Sequence, residues 1–157
     1  MTFSPDDEEY LSEIIKELSI LYSSHFFIPH ITVYGLVQTN LSDLEEIIRK
    51  ILNFHPILVK RQSVFHSENF WKTVYIQIEK NNVLDKIYSI LKKELGNYST
   101  YEFNPHISLI YKKISVPEKE TLIKKLNLKS EFLVSGIAIQ EFDENILKWK
   151  IVKNFKL

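Results

Sequence analysis

Cysteine is absent from the 157 residues, which excludes disulfides, thiolate nucleophiles and zinc–thiolate sites. Glycine is nearly absent, with three in all, too few for a glycine-rich loop that wraps a phosphate in backbone N–H groups. Neither sign of charge is in excess, because 20 Lys and Arg offset 20 Asp and Glu. Non-specific binding of long nucleic acid depends on a basic surplus, so a polyanion track is not expected as the principal partner. A small phosphate ester in a local pocket remains compatible with neutrality. No apolar run reaches the length of a membrane span, and Met1–Glu9 lacks the basic and apolar regions of a secretory signal. These absences predict a soluble, cytoplasmic monomer without membrane contact. What is present is 45% hydrophobic and 13% aromatic, a globular composition that suits one compact domain over residues 1–157.

Within that composition one pattern occurs twice. Pro29-His30-Ile31-Thr32-Val33 returns as Pro105-His106-Ile107-Ser108-Leu109. Each copy is a β-branched, apolar run that reads as a strand. Side chains alternate faces along a strand, so His30 and Thr32 point one way while Ile31 and Val33 point the other. The same alternation joins His106 to Ser108 and sends Ile107 and Leu109 to the opposite face. Two imidazoles, each beside a hydroxyl, are the parts that metal-free acid–base chemistry on a phosphate requires.

The surroundings of the two copies also repeat. Helical spacing over Asp6–Tyr22, with Ser4 and Pro5 as cap and first turn, precedes a strand at about Phe26–Val37. Ser42-Asp43-Leu44-Glu45 reads as a capping box opening a helix to Leu52. Strands follow at about Ile57–Phe65 and Phe70–Glu79 around a polar turn. The cycle then restarts: a helix over Asn82–Leu95 closed by Gly96, a strand at Asn104–Tyr111, a helix at Pro117–Leu126, and strands at Phe132–Phe142 and Ile146–Phe155. The pattern predicts an α+β fold of two related lobes, roughly 1–66 and 70–157, whose sheets exchange strands. Antiparallel sheets would line a central cleft, with helices outside. A pseudo-twofold axis between the lobes would bring the two histidine strands face to face.

A single His-x-Thr in a strand is more often a satisfied, partly buried histidine than a catalyst. Structure alone would need only Val, Ile or Leu at these positions, so two copies in matching context favour function. In Phe70–Glu79 the aliphatic Val74, Ile76 and Ile78 face the helices. Trp71, Thr73, Tyr75 and Gln77 face the cleft, which makes Trp71 and Tyr75 candidates for stacking on a base, although packing explains them equally well. His25, His55 and His66 have no metal-ligand spacing and read as surface or structural residues, with His66 nearest to a substrate if its turn borders the cleft. Lys72, Lys112 and Lys113 read as solvated charges, with Lys112 close enough to the motif strand to attract a phosphate. No metal and no other cofactor is expected.

The twin motifs resemble the signature of the 2H phosphoesterase superfamily, named for two His-x-Ser/Thr motifs. Phe27-Ile28-Pro29-His30-Ile31-Thr32, Phe70-Trp71-Lys72-Thr73-Val74-Tyr75, Asn104 to Tyr111 and the closing Trp149–Phe155 segment are similar to its cyclic phosphodiesterase branch. The resemblance implies His30 and His106 as catalytic residues, Thr32 and Ser108 as phosphate-binding hydroxyls, and Tyr111 as an aromatic near the substrate. Simple alternation puts Tyr111 on the far face from His106, so that role needs the strand to end or twist there. The chain departs from the branch at its amino terminus, where Met1-Thr2-Phe3-Ser4-Pro5 replaces a longer strand with a tryptophan. Phe3 is the candidate substitute for that ring. The implied activity is hydrolysis of a small cyclic phosphodiester, either a nucleoside 2′,3′-cyclic phosphate to the 2′-phosphate or ADP-ribose 1″,2″-cyclic phosphate. An RNA-end or 2′–5′ phosphodiesterase acting on short RNA, and a non-catalytic nucleotide- or phosphate-binding protein, are the alternatives. The motif chemistry alone leaves open which histidine is acid and which is base.

Overall fold

The computed structural model describes residues 1–157. Four helices, α1 (Pro5–Tyr22), α2 (Leu41–Arg49), α3 (Asn82–Leu95) and α4 (Val116–Lys125), accompany six strands. The strands are β1 (Thr2–Phe3), β2 (Ile57–His66), β3 (Val74–Ile78), β4 (His106–Ile110), β5 (Glu131–Glu141) and β6 (Lys150–Lys156). All pairings are antiparallel, in the order β1-β5-β2-β3-β4 with β6 also on β5. The fold is therefore α+β, as the repeat predicts. No helix is long and apolar enough to cross a membrane.

Local chemistry sets the helix starts. Ser4 Oγ accepts from the Asp7 N–H at the head of α1, with Pro5 in the first turn. The cap of α2 is Asn40 rather than Ser42, because the Asn40 amide oxygen lies closest to the free N–H of Asp43, at 2.9 Å. Ser42 donates to that same oxygen from within the first turn. A capping box does occur at α4, where Ser115 and Glu118 satisfy each other. Gly96 closes α3 in right-handed conformation.

β4 covers His106–Ile110 of the expected Asn104–Tyr111, and two other expected strands lose their first residues to a 3₁₀ turn. Phe70–Lys72 forms a 3₁₀ turn because the Asn69 side chain accepts from the Trp71 N–H (2.9 Å) and Thr73 Oγ1 donates back to the Phe70 carbonyl. Ile146–Lys148 does the same under Asn145. The segment expected as a strand at Phe26–Val37 forms no ladder; it bends at Val33–Tyr34 and turns left-handed at Leu36. β1 is too short to offer one: the Met1 amino group donates to the Ile31 carbonyl (2.7 Å) and the Ile31 N–H returns to Met1 (3.1 Å).

β5 ties the ends of the chain together. It pairs with β1 at Val134 and Gly136, with β2 through Glu131–Val134 and with β6 through Gly136–Glu141. The carboxy-terminal strands therefore lie beside the element that holds the His30 segment. Leu11 and Ile15 of α1, Leu84 and Ile87 of α3, and Ile107 and Leu109 of β4 are fully buried in one continuous core. Burying such side chains stabilises the fold by about 1.5–3 kcal/mol each against an extended chain.

Candidate active site

Each motif histidine is carried on a backbone whose alternate residues are anchored in the core. Ile31 and Val33 are buried, and together with His30 and Thr32 they border a cavity of about 360 Å³. Ile107 and Leu109 are buried at 0% exposure, and His106 and Ser108 line the same cavity. Motifs far apart in sequence thus meet at one cavity.

Their rings are held in the same way. His30 Nδ1 lies 2.8 Å from the carbonyl of Ile28, and His106 Nδ1 lies 2.7 Å from that of Asn104. A carbonyl can only accept, so each Nδ1 carries its proton. Each Nε2 is then left as the working nitrogen, a lone pair in the neutral ring and a donor in the cation. Burial lowers the pKa of His30 to about 4, with the nearby amino terminus and His106 adding to the effect and the Ile28 carbonyl opposing it. Burial also lowers that of His106, and Lys72 adds to it. Both rings therefore favour the neutral form until an anion arrives.

The hydroxyls are less symmetric. Ser108 is buried and donates to the Trp71 carbonyl at 2.9 Å. To donate to a phosphate instead, it must rotate about its Cα–Cβ bond. Thr32 is fixed through its backbone, whose carbonyl accepts from the Tyr101 hydroxyl at 3.1 Å.

Among the aromatic candidates, Trp71 and Tyr111 line the cavity. β4 ends at Ile110, and the twist beyond it swings Tyr111 to the side of His106. There it stacks on Phe27 at 4.0 Å, and burial pushes its hydroxyl well above the usual pKa. Tyr75 does not line the cavity. Its ring packs edge-on to His106 at 5.5 Å, with Lys72 Nζ 4.2 Å from its centroid. The 3₁₀ turn breaks the alternation that would have put Trp71 and Tyr75 on one face, and so separates their fates.

Phe3 is not a cavity residue either. It is buried against Phe132, with ring centroids 6.2 Å apart. The indole that does stand in the site is Trp149, stacked 5.6 Å from Trp71 and edge-on to His30 at 6.0 Å. Its Nε1 donates to the Asp143 carbonyl (2.7 Å), which fixes the ring. Trp149, Phe142 and Gln140 reach the cavity only because β6 folds back on β5. Tyr101 arrives from a stretch without regular structure. Gln140 and Phe142 share an alternating face with Ala138, which also lines the cavity, so the strand expected at Phe132–Phe142 carried a signal for them. The tryptophan of the closing segment did the same for Trp149; Tyr101 has no such mark.

His25, His55, His66, Lys72 and Lys112 lie outside the cavity. Lys112 instead donates to the Ser23 carbonyl at the end of α1 (3.0 Å). No three His, Asp or Glu side chains cluster where they could hold a metal ion.

The model of a family described as cyclic phosphodiesterase-like protein matches residues 3–157. Two staphylococcal proteins named as phosphoesterases are similar over most of the chain. SSP1770 of Staphylococcus saprophyticus is 23% identical over 146 residues, covering 87% of this chain and 86% of that protein. SH1944 of Staphylococcus haemolyticus is 24% identical over 139 residues, covering 82% and 80%. Among solved structures, TT0787 of Thermus thermophilus superposes with a TM-score of 0.64 at 16% identity, over 99% of this chain and 94% of that one. LigT of E. coli, complexed with 3′-AMP, gives 0.60 at 10% identity over 94% and 91%.

Proposed function

The chain belongs to the cyclic phosphodiesterase-like family of 2H phosphoesterases, and from that premise we propose that it hydrolyses small cyclic phosphodiesters by two-histidine acid–base catalysis. The observation that carries this reading is the matched pair of imidazoles in one cavity, each with Nδ1 bonded to a carbonyl and Nε2 left free. His30 is assigned as the base, because burial lowers its pKa to about 4 and so keeps the ring neutral, with Nε2 ready to accept a proton. Its Nε2 takes a proton from water as the oxygen attacks phosphorus. His106, protonated when the phosphate anion binds, gives its Nε2 proton to the ribose oxygen that leaves. Water has then added across one P–O bond, the ring has opened, and a single phosphomonoester remains.

Thr32 and Ser108 hydrogen-bond the non-bridging oxygens, where charge accumulates in the transition state. Trp71, Tyr111 and Trp149 supply flat apolar surface for the organic part of the substrate. The nucleotide in the E. coli structural neighbour supports a nucleoside phosphate as that substrate. By resemblance to the branch, the expected substrate is a nucleoside 2′,3′-cyclic phosphate and the product its 2′-phosphate. The chemistry calls on no metal.

Phosphorus NMR of the purified protein with 2′,3′-cyclic AMP and EDTA tests this directly. The expected result is conversion to one monoester whose shift identifies the 2′-phosphate. An unchanged spectrum at high enzyme concentration would reject the nucleoside 2′,3′-cyclic phosphate as substrate, and activity lost to EDTA and restored by added metal would reject the metal-free form of the reading.

A further inference from the structure

The cavity that holds the two histidines has a lining with an unusual charge balance. Of the 20 lining residues, 13 are hydrophobic and none is Lys, Arg, Asp or Glu. Met1 also contributes, but its amino group donates to Ile31 within the protein and burial lowers its pKa to about 5, so it is uncharged at neutral pH. The lysine that acts on His106 is Lys72, which rests over the outer ring of Tyr75 rather than in the lining. Within the lining the imidazoles are thus the side chains that can carry positive charge, with Lys72 acting on His106 from outside it, and the mechanism uses one imidazole as an uncharged base.

The mouth is apolar as well. Leu36, Phe142 and Ile28 line the cavity while remaining 69%, 52% and 42% exposed. Leu36 also has a φ of 59°, a left-handed backbone that leucine rarely adopts. Backbone strain of this kind collects at functional sites, and here it sets an apolar side chain at the rim.

We infer that this site selects its substrate by total charge, accepting a cyclic phosphate whose remaining parts are uncharged and discriminating against one that carries a second phosphate on the same ribose. The inference rests on the reading that the site opens cyclic phosphodiesters, and it divides the two substrate classes that reading allows. A nucleoside 2′,3′-cyclic phosphate brings one negative charge, which one protonated imidazole balances. ADP-ribose 1″,2″-cyclic phosphate carries a pyrophosphate on the 5″ oxygen of the ribose that holds the ring. At the mouth the lining offers that charge the apolar Leu36, Phe142 and Ile28 and no lysine or arginine, and moving an anion from water to an apolar surface is costly. Ring opening raises the phosphate from one negative charge to nearly two, so the same balance favours departure of the product.

The test compares kcat/KM at one salt concentration for three substrates. They are adenosine 2′,3′-cyclic phosphate, its 5′-phosphorylated form and ADP-ribose 1″,2″-cyclic phosphate. The first is expected to exceed the other two by about tenfold or more, the equivalent of one lost favourable contact or one poorly solvated charge. Leu36→Lys and Phe142→Lys each place a cation at the mouth and are expected to narrow that ratio by raising the rate on the 5′-phosphorylated form. Equal or reversed preference, with the plain cyclic nucleotide still hydrolysed, would overturn charge selection and leave the activity standing. A ratio that neither lysine variant moves would overturn it too. Failure to hydrolyse any of the three would overturn the activity itself.

Discussion

At the scale of single residues, the site depends on an imidazole whose proton is directed by a backbone carbonyl. The carbonyl of the residue two positions earlier is always present in the chain, so this orientation requires no dedicated carboxylate. A neutral orienting partner also leaves the ring easier to deprotonate than an acidic one would. Replacing His30 or His106 with Ala is expected to lower kcat by about 10²–10⁴-fold, with circular dichroism and melting temperature close to those of the parent. Wild-type turnover in either variant would contradict the mechanism. The pH dependence follows from the same shifts. Activity rises as pH climbs through about 4, where His30 becomes neutral, and falls once His106 loses its proton below the ordinary value of 6.5. A kcat/KM profile centred on the acid side of neutrality is expected, and an optimum above pH 8 would speak against it. Stability has its own window. Above pH 6.5 His30 is neutral both folded and unfolded and contributes nothing, whereas between about 6.5 and 4 only the unfolded chain takes up the proton. Melting temperature should therefore decline as pH falls through that range, and His30→Gln should flatten the decline.

At the scale of elements, the two histidines have unequal supports. His106 stands at the start of β4, laddered to β3 through Gln77↔His106 and Tyr75↔Ser108. His30 stands on a segment outside the ladders, bound to Met1 through the two hydrogen bonds at Ile31. Met1 is in turn held by β1, and β1 by β5. The weak point of that relay is Gly136, squeezed between β1 and β6. A Cβ there would meet Thr2 Oγ1 at 2.6 Å and the Phe155 carbonyl at 2.8 Å. Gly136→Ala is expected to cost about 1–3 kcal/mol and to lower activity through displacement of β1. Denaturant titration and steady-state kinetics measure the two effects. A variant as stable and active as the parent would mean that the His30 segment does not depend on β1. Lys119 plays a comparable part on the other side. Buried on α4, it donates to Glu68 and the Ser67 carbonyl, and so anchors the turn that leads to Trp71.

For the whole molecule, the decisive property is neutrality without and within. The chain has no net charge, so no overall monopole draws anions toward the molecule. The cavity lining adds none of its own beyond the histidines. For a singly charged cyclic nucleotide, kcat/KM is expected to change by less than about twofold between roughly 50 and 500 mM salt. A steep fall would show that exposed lysines guide the substrate. Long RNA gains little from such a surface, because its affinity comes from neutralised phosphates.

The candidate catalytic set was legible in the sequence because its signals are local. Alternation within a pentapeptide assigns His30 and Thr32, or His106 and Ser108, to one face, and recurrence of the pentapeptide separates function from packing. Helix spacing and caps are equally local, and they placed three of the four helices to within a residue or so. α2 starts early because Asn40 reaches a free N–H that Ser42 does not. It ends at Arg49 rather than Leu52 because Lys50, Ile51 and Leu52 bond back three residues in tighter turns. Tertiary structure decided what surrounds the reacting groups. Trp149, Phe142 and Gln140 enter the cavity through pairing of β6 with β5, a register that no short window of sequence encodes. Tyr75 leaves the cavity and Trp71 stays because a 3₁₀ turn interrupts the alternation between them. The charge character of the cleft belongs to the same class of facts. It depends on where every lysine comes to rest, and composition counts lysines without placing them.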